Sequence, residues 1–152
     1  MTVRITAATF CHKDLARLVG QLDEYQSALY PAASNHCIAL ADMSRDRAWA
    51  WLATVGDYNA GCVCLYHSPD GQAEIKRLYV DPDYRGYGLA SALLAELEAL
   101  ARQQHCPALY LETGIHQPDA VGLYKKLGFI RTGAFGQYTD DPLSIYMSKA
   151  LD

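Results

Sequence analysis

Residues Asp81–Leu100 read DPDYRGYGLASALLAELEAL. The second half places Leu89, Leu93, Leu97 and Leu100 on one stripe, supported by Leu94 and Ala101. That is the 3.6-residue period of an amphipathic helix from about Leu89 to about Gln104. The helix begins on Arg85-Gly86-Tyr87-Gly88 rather than on a Ser or Asp cap. The first turn of any helix carries unpaired N–H groups and a partial positive charge. A short polar side chain satisfies that end when it faces water. When it faces a phosphate, side chains stand in the way. Gly86 and Gly88 remove the Cβ atoms where an anion needs close backbone approach. Arg85 adds a planar fork of donors, and Ser91 adds a hydroxyl. The stretch therefore reads as a pyrophosphate cradle between a strand and a helix, against the plainer reading of a glycine-containing surface loop. A P-loop would need Gly-x4-Gly-Lys-Ser/Thr, and no such Lys follows. A dinucleotide-binding turn would need a third glycine that is not there.

Outward from the cradle, the other elements follow from periodicity. VRITAAT alternates as an opening strand. DLARLVGQLDEYQSALY reads as a helix with Leu15, Leu18, Val19 and Leu22 on one face, Asp14 as its cap and Pro31 as its stop. SNHCIALADM reads as a second short helix capped by Ser34 or Asn35. AWAWLATV and AGCVCLYH flank the turn GDYN, and SPDG leads into a third strand, QAEIKRLYV. After the long helix come a strand (ALYLET), a short helix (DAVGLYKKLG) closed by Gly128, and a final antiparallel pair (FIRTGAF, LSIYMSKA). The order is β-α-α-β-β-β-α-β-α-β-β. Three strands in succession do not suit a strictly alternating doubly wound fold.

The bulk properties bound the function. A chain of 152 residues suits one domain with one core, here taken as residues 1–152. With 51% apolar and 20% charged residues it has a globular composition, and a net charge of −4 speaks against a nucleic-acid partner. No apolar run is long enough for a membrane span, and MTVRITAATFCHKD lacks the pattern of a signal peptide, so the expected location is cytoplasmic. The five cysteines are odd in number and form no Cys-x-x-Cys pair, and no second Cys/His pair completes a zinc set. They read as buried free thiols, and no metal is expected.

RGYGLA fits the Gln/Arg-x-x-Gly-x-Gly/Ala motif of the GNAT superfamily, the acyl-CoA-dependent N-acyltransferases. About forty residues on, AVGLYKKLGF resembles that family's second signature, a tyrosine-bearing helix running into Gly-Phe and a strand. The element order is similar as well. Together with YP…SNH, LETG and the C-terminal Tyr…Asp-Pro pattern, the chain resembles a subgroup of small bacterial members whose acceptors are mostly unassigned. The resemblance implies a mixed α/β fold (α+β-like): a twisted mixed sheet with splayed central strands and helices on both faces. It implies transfer of an acetyl group from acetyl-CoA to a primary amine, with homodimers frequent in the family.

The resemblance also assigns residues. Arg85, Gly86, Tyr87, Gly88, Leu89, Ala90 and Ser91 would hold the cofactor's phosphates. The backbone of Leu78, Tyr79 and Val80 would bond the pantetheine arm as an added strand does. Gln117 stands where many members carry Asn. Glu74 matches a position where some members place a catalytic glutamate, and Tyr124 matches the tyrosine that often protonates the departing sulfur. Lys76 and Arg77 are the alternative partners of Glu74, and Lys125 and Lys126 read as a solvated face. Glu112, at the end of its strand, is an alternative base or a substrate contact. His36, between the first helices, and Tyr138, beside Asp140 and Asp141 before the last strand, are substrate-side candidates. Strand alternation puts Glu74, Lys76, Leu78 and Val80 on one face, unless the bulge common in the family breaks the count. Cys106 shows no His partner in the sequence.

Three functional readings remain at this stage. A small-molecule amine is the first acceptor. A protein or peptide N-terminus or lysine is the second. A CoA-binding regulatory module without turnover is the third.

Overall fold

The structure, a computed structural model, describes residues 2–34, 38–136 and 138–151. Seven strands form one sheet: β1 (Val3–Ala8), β2 (Arg47–Val55), β3 (Tyr58–His67), β4 (Ala73–Val80), β5 (Ala108–Gly114), β6 (Ile130–Thr132) and β7 (Ser144–Ala150). Their spatial order is β1-β2-β3-β4-β5-β7-β6. Every neighbouring pair is antiparallel except β4 and β5. Among the described residues four α-helices cover the sheet: α1 (Lys13–Leu29), α2 (Leu40–Met43), α3 (Leu89–Gln103) and α4 (Pro118–Lys126). The mixed sheet and the expected order of elements are both present.

Two apolar clusters lie on opposite faces of the sheet. On one, Leu89, Leu93 and Leu97 of α3 and Tyr124 of α4 pack on Trp51, Val63, Leu65, Ile75, Leu109, Leu111 and Met147. On the other, Leu15, Leu18 and Val19 of α1 and Met43 of α2 pack on Ala50, Leu52, Cys62, Cys64 and Tyr66. The leucine stripe that defined α3 is thus its buried face, and each fully buried leucine contributes roughly 1.5–3 kcal/mol. Cys62 and Cys64 share one face, as their spacing requires, and are buried. Cys11 is exposed and Cys106 half-buried, so the expectation of buried thiols holds for only part of the set.

Local chemistry departs from expectation at three helix and strand ends. The cap of α1 is His12, whose Nδ1 accepts the N–H of Asp14 at 3.1 Å, two residues ahead of the Asp14 cap expected. The second helix is only four residues long, starts after Ala39 with no side-chain cap, and follows a separate 3-10 turn at Ala32–Ser34. Met43 is its sole buried residue, too small an apolar face to sustain the longer helix. Residues Asn35 and His36 lie outside the described residues. The strand expected over FIRTGAF is limited to Ile130–Thr132, whose side chains are all exposed.

The decisive irregularity is in β4. Cys64 faces Lys76 and Cys62 faces Tyr79 across the β3–β4 ladder, so two residues, Arg77 and Leu78, stand opposite Val63. Arg77 has φ +54°, a left-handed conformation rare for a side-chain-bearing residue. This bulge overturns the simple alternation. Glu74 and Lys76 keep one face, whereas Leu78 and Val80 join the α3 cluster on the other. The guanidinium of Arg77 is buried and holds the bulge in place. It lies 3.0 Å from Asp23 of α1 and donates to the carbonyl of Ile38 at 2.6 Å.

Burial pushes the thiols of Cys62 and Cys64 upward, that of Cys64 to about 12. An unfolded thiol, with its ordinary value of 9.0, loses its proton where the buried ones keep theirs. The folded state then binds more protons, so stability falls as pH rises from 9 towards 12. Urea midpoints should decline across that window. In Cys62→Ala/Cys64→Ala the decline should be shallower, although the midpoint at neutral pH should be lower.

Candidate active site

Asp81 follows β4 and accepts the N–H of Asp83 at 3.0 Å, which caps a 3-10 turn over Pro82–Tyr84. The chain then reaches α3 through two left-handed glycines, Gly86 at φ +89° and Gly88 at φ +76°. Gly88 is the N-cap of α3 and no side chain caps the helix. A Cβ at either glycine would meet no atom within 4 Å, so the space above them is open. Both requirements for a cradle are met: backbone dihedrals that favour glycine, and free approach to the first-turn N–H groups.

This cradle is one end of a groove of about 460 Å³. Leu78, Tyr79 and Val80 line it along one side, Arg85, Gly86 and Gly88 to Ser91 at the cradle, and Gln117 on the far wall. Tyr87 is the exception among the expected cofactor residues. Its side chain is 48% exposed and does not line the groove. Its neighbour Tyr84 does, held by stacking on Tyr58 at 4.9 Å, whose hydroxyl donates to Asp81 at 2.8 Å.

The groove continues into a narrow cleft of about 110 Å³ through shared walls at Leu22, Leu78, Gln117 and Ala120. The cleft exists because β4 and β5 pair only at Ala73–Leu109 and Glu74–Tyr110. Beyond those residues the strands part, and the β5-facing edge of β4 has no strand partner. Ile75 to Leu78 form one wall and Glu112 to Gly114 the other. Tyr124 of α4 lines the same cleft. Its ring is buried and packs edge-on against Phe129, with centroids 5.6 Å apart. Burial, and then the charge of Glu112, push its hydroxyl well above the ordinary tyrosine range, so it stays protonated. Glu112 accepts the hydroxyl of Ser144 at 2.9 Å.

Glu74 does not line this cleft. It is 4% exposed, paired with the ammonium of Lys76 at 2.9 Å, and accepts the hydroxyl of Tyr138 at 3.4 Å. Lys76 also donates to the Tyr138 hydroxyl and lies 5.0 Å from the centre of that ring. Burial and then Glu74 and Glu112 push the Tyr138 hydroxyl far upward. This group faces a second, outer cavity of about 380 Å³. Lys76 lines both the outer cavity and the cleft. Tyr138 is thus gathered with Glu74, and Glu112 with Tyr124.

Sequence reasoning missed Tyr30. At the end of α1 it lies directly over Gly114, where an added Cβ would fall 1.8 Å from its hydroxyl oxygen. That hydroxyl accepts the N–H of His116 at 3.0 Å and donates to Gln117 at 3.3 Å. Gln117, the amide in place of the family's asparagine, is therefore held in the shared wall by a residue eighty-seven positions away. The expectation for Cys106 is also corrected. Its sulfur lies 3.9 Å from Nε2 of His67, a β3 residue distant in sequence. That nitrogen is 2.7 Å from the Gln104 side-chain oxygen, and burial raises the thiol, so the pair is no activated nucleophile. Among the described residues no group of three or more His, Cys, Asp or Glu gathers as for a metal, and no helix is long and apolar enough to cross a membrane.

The family model for the acetyltransferase (GNAT) family matches residues 16–129. The chain belongs to the GNAT family. It is 37% identical over 138 residues to an IAA acetyltransferase of Azospirillum brasilense, covering 90% of each chain. A structure described as an acyl-CoA N-acyltransferase of Klebsiella pneumoniae superposes with a TM-score of 0.83 at 35% identity, over 99% of each chain. The fold recurs in PaiA N-acetyltransferase of Thermoplasma acidophilum in complex with coenzyme A, with a TM-score of 0.74 at 17% identity over 99% of this chain and 100% of that one. As a GNAT enzyme the chain is an acetyl-CoA-dependent acetyltransferase.

Substitutions at the cradle test its fit to that cosubstrate. Arg85→Ala should weaken CoA binding about ten- to a hundredfold, the value of charge-assisted hydrogen bonds. Gly88→Val should largely abolish binding, while its left-handed backbone costs only roughly 1–2 kcal/mol of stability. Calorimetric titration with CoA beside a thermal melt separates the two effects.

Proposed function

We propose that the chain acetylates the primary amine of a small molecule, by direct attack on acetyl-CoA in a ternary complex. The observation that carries this reading is the continuity of the glycine cradle with a cleft of only about 110 Å³ holding a carboxylate and a protonated tyrosine. A cleft of that size admits the end of a small molecule.

The groove residues would hold the cosubstrate in named roles. Arg85 and the first-turn N–H groups of α3 would take its phosphates, and the open edge of Leu78–Val80 would bond its pantetheine amides. Bound acetyl-CoA supplies a thioester activated for transfer. An attacking amine must first lose a proton, because an ammonium has no lone pair. Of the two expected carboxylates, Glu112 shares the cleft with Tyr124, and Glu74 lies outside it, paired with Lys76. This favours Glu112 as the base, directly or through a water. The Tyr124 hydroxyl would donate its proton to the leaving sulfur, and a raised hydroxyl keeps that proton available throughout the working pH range.

A screen of small amines, and of peptides with free N-termini or lysines, would follow thiol release from acetyl-CoA, with products confirmed by mass. Faster acetylation of peptides would move the acceptor to a protein. CoA binding with no acetylated product from any amine would leave a regulatory module.

Tyr124→Phe should lower kcat about ten- to a thousandfold with nearly unchanged CoA affinity. Glu112→Gln should remove the acidic limb of the pH–rate profile, because the limb reports protonation of the base. Glu74→Gln should retain that limb. The reverse pattern would return the base to Glu74.

A further inference from the structure

We propose that the acceptor carries a carboxylate beside its amine, in the manner of an amino acid, and that Lys76 is the residue that recognises it. This rests on the reading of the cleft as an amine site beside Glu112.

Lys76 is held more firmly than a surface lysine. Its side chain is 13% exposed. An ammonium has three N–H bonds. One is directed to Glu74 at 2.9 Å and one to the Tyr138 hydroxyl, with the Tyr138 ring beneath the charge. Among the described residues the third has no acceptor and remains for a ligand, and Lys76 lines the cleft as well as the outer cavity. The other cation of the cleft wall, Arg77, is committed to Asp23 and the Ile38 carbonyl.

Position completes the inference. The parallel register pairs Ala73 with Leu109 and Glu74 with Tyr110. Continued by two residues past the end of the ladder, it sets Lys76 across the opening from Glu112. The cleft thus presents a fixed cation on one wall and a carboxylate on the other. A molecule with adjoining ammonium and carboxylate groups complements both. A diamine would bring a second cation against Lys76. The outer cavity, lined by Tyr66, Ser68, Asp70 and Tyr138 beyond Lys76, would take the acceptor's side chain. In this arrangement Glu74 and Tyr138 are positioning residues that fix the ammonium.

The test compares kcat/KM for the protein L-amino acids, their α-carboxamides and their decarboxylated amines, with acetyl-CoA saturating. The wild-type enzyme should prefer the best amino acid over its carboxamide about ten- to a hundredfold, the worth of one charge-assisted hydrogen bond. Lys76→Met should reduce that ratio to near unity, mainly through KM of the acceptor, and Lys76→Arg should restore part of it. Because Lys76→Met strands the buried Glu74, the double variant Glu74→Gln/Lys76→Met provides the same readout without an unpaired charge. Carboxamides or decarboxylated amines that match or exceed the amino acids would overturn this proposal and leave the amine reading standing. An unchanged ratio in Lys76→Met and in the double variant would do the same. No acetylation of any compound, with CoA binding intact, would overturn both readings.

Discussion

Strands β4 and β5 hold together through two residue pairs and then separate. A buried peptide group without a partner costs roughly 1–3 kcal/mol, so the middle of a sheet is normally closed. Here it opens, and the chain leaves one edge of β4 to be completed by something else. The cleft, the groove beside it and the approach to α3 all depend on this separation. The Arg77 bulge supports it by turning the strand without breaking its antiparallel ladder with β3. The same side chain binds α1 through Asp23 and the segment before α2 through Ile38, so β4, one wall of the cleft, is tied to the helix whose Leu22 and Gln26 also line it.

Charge is distributed around that opening in a consistent way. The cradle end is built from backbone N–H groups and Arg85, and suits anions. The opposite end has Glu112 in one wall and Lys76 in the other, with Glu74 paired to Lys76 on the side of the outer cavity. Glu74 pairs with Lys76 beside the Tyr138 hydroxyl, which spares the protein the cost of an isolated buried charge. Burial keeps Tyr124 and Tyr138 in their neutral forms, so their hydroxyls act as donors.

The sequence by itself determined the glycine turn into α3, the leucine face of that helix, the C-terminal glycine of α4 and the order of the elements, because each is encoded within a few consecutive residues. Gly86 and Gly88 take dihedrals that glycine alone adopts easily, and a 3.6-residue stripe has one physical reading. The short second helix and the His12 cap were misjudged because competing polar residues stood close together and tertiary burial made the choice. Tertiary structure alone decided which titratable groups meet. Alternation could not foresee that Arg77 would enter the left-handed region and move Leu78 to the face opposite Glu74. No local pattern joins Tyr30 to Gln117, Lys76 to Tyr138 or Cys106 to His67. Those contacts depend on where separate elements come to rest on the sheet, and the partition of Glu74 and Glu112 between two cavities depends on them too.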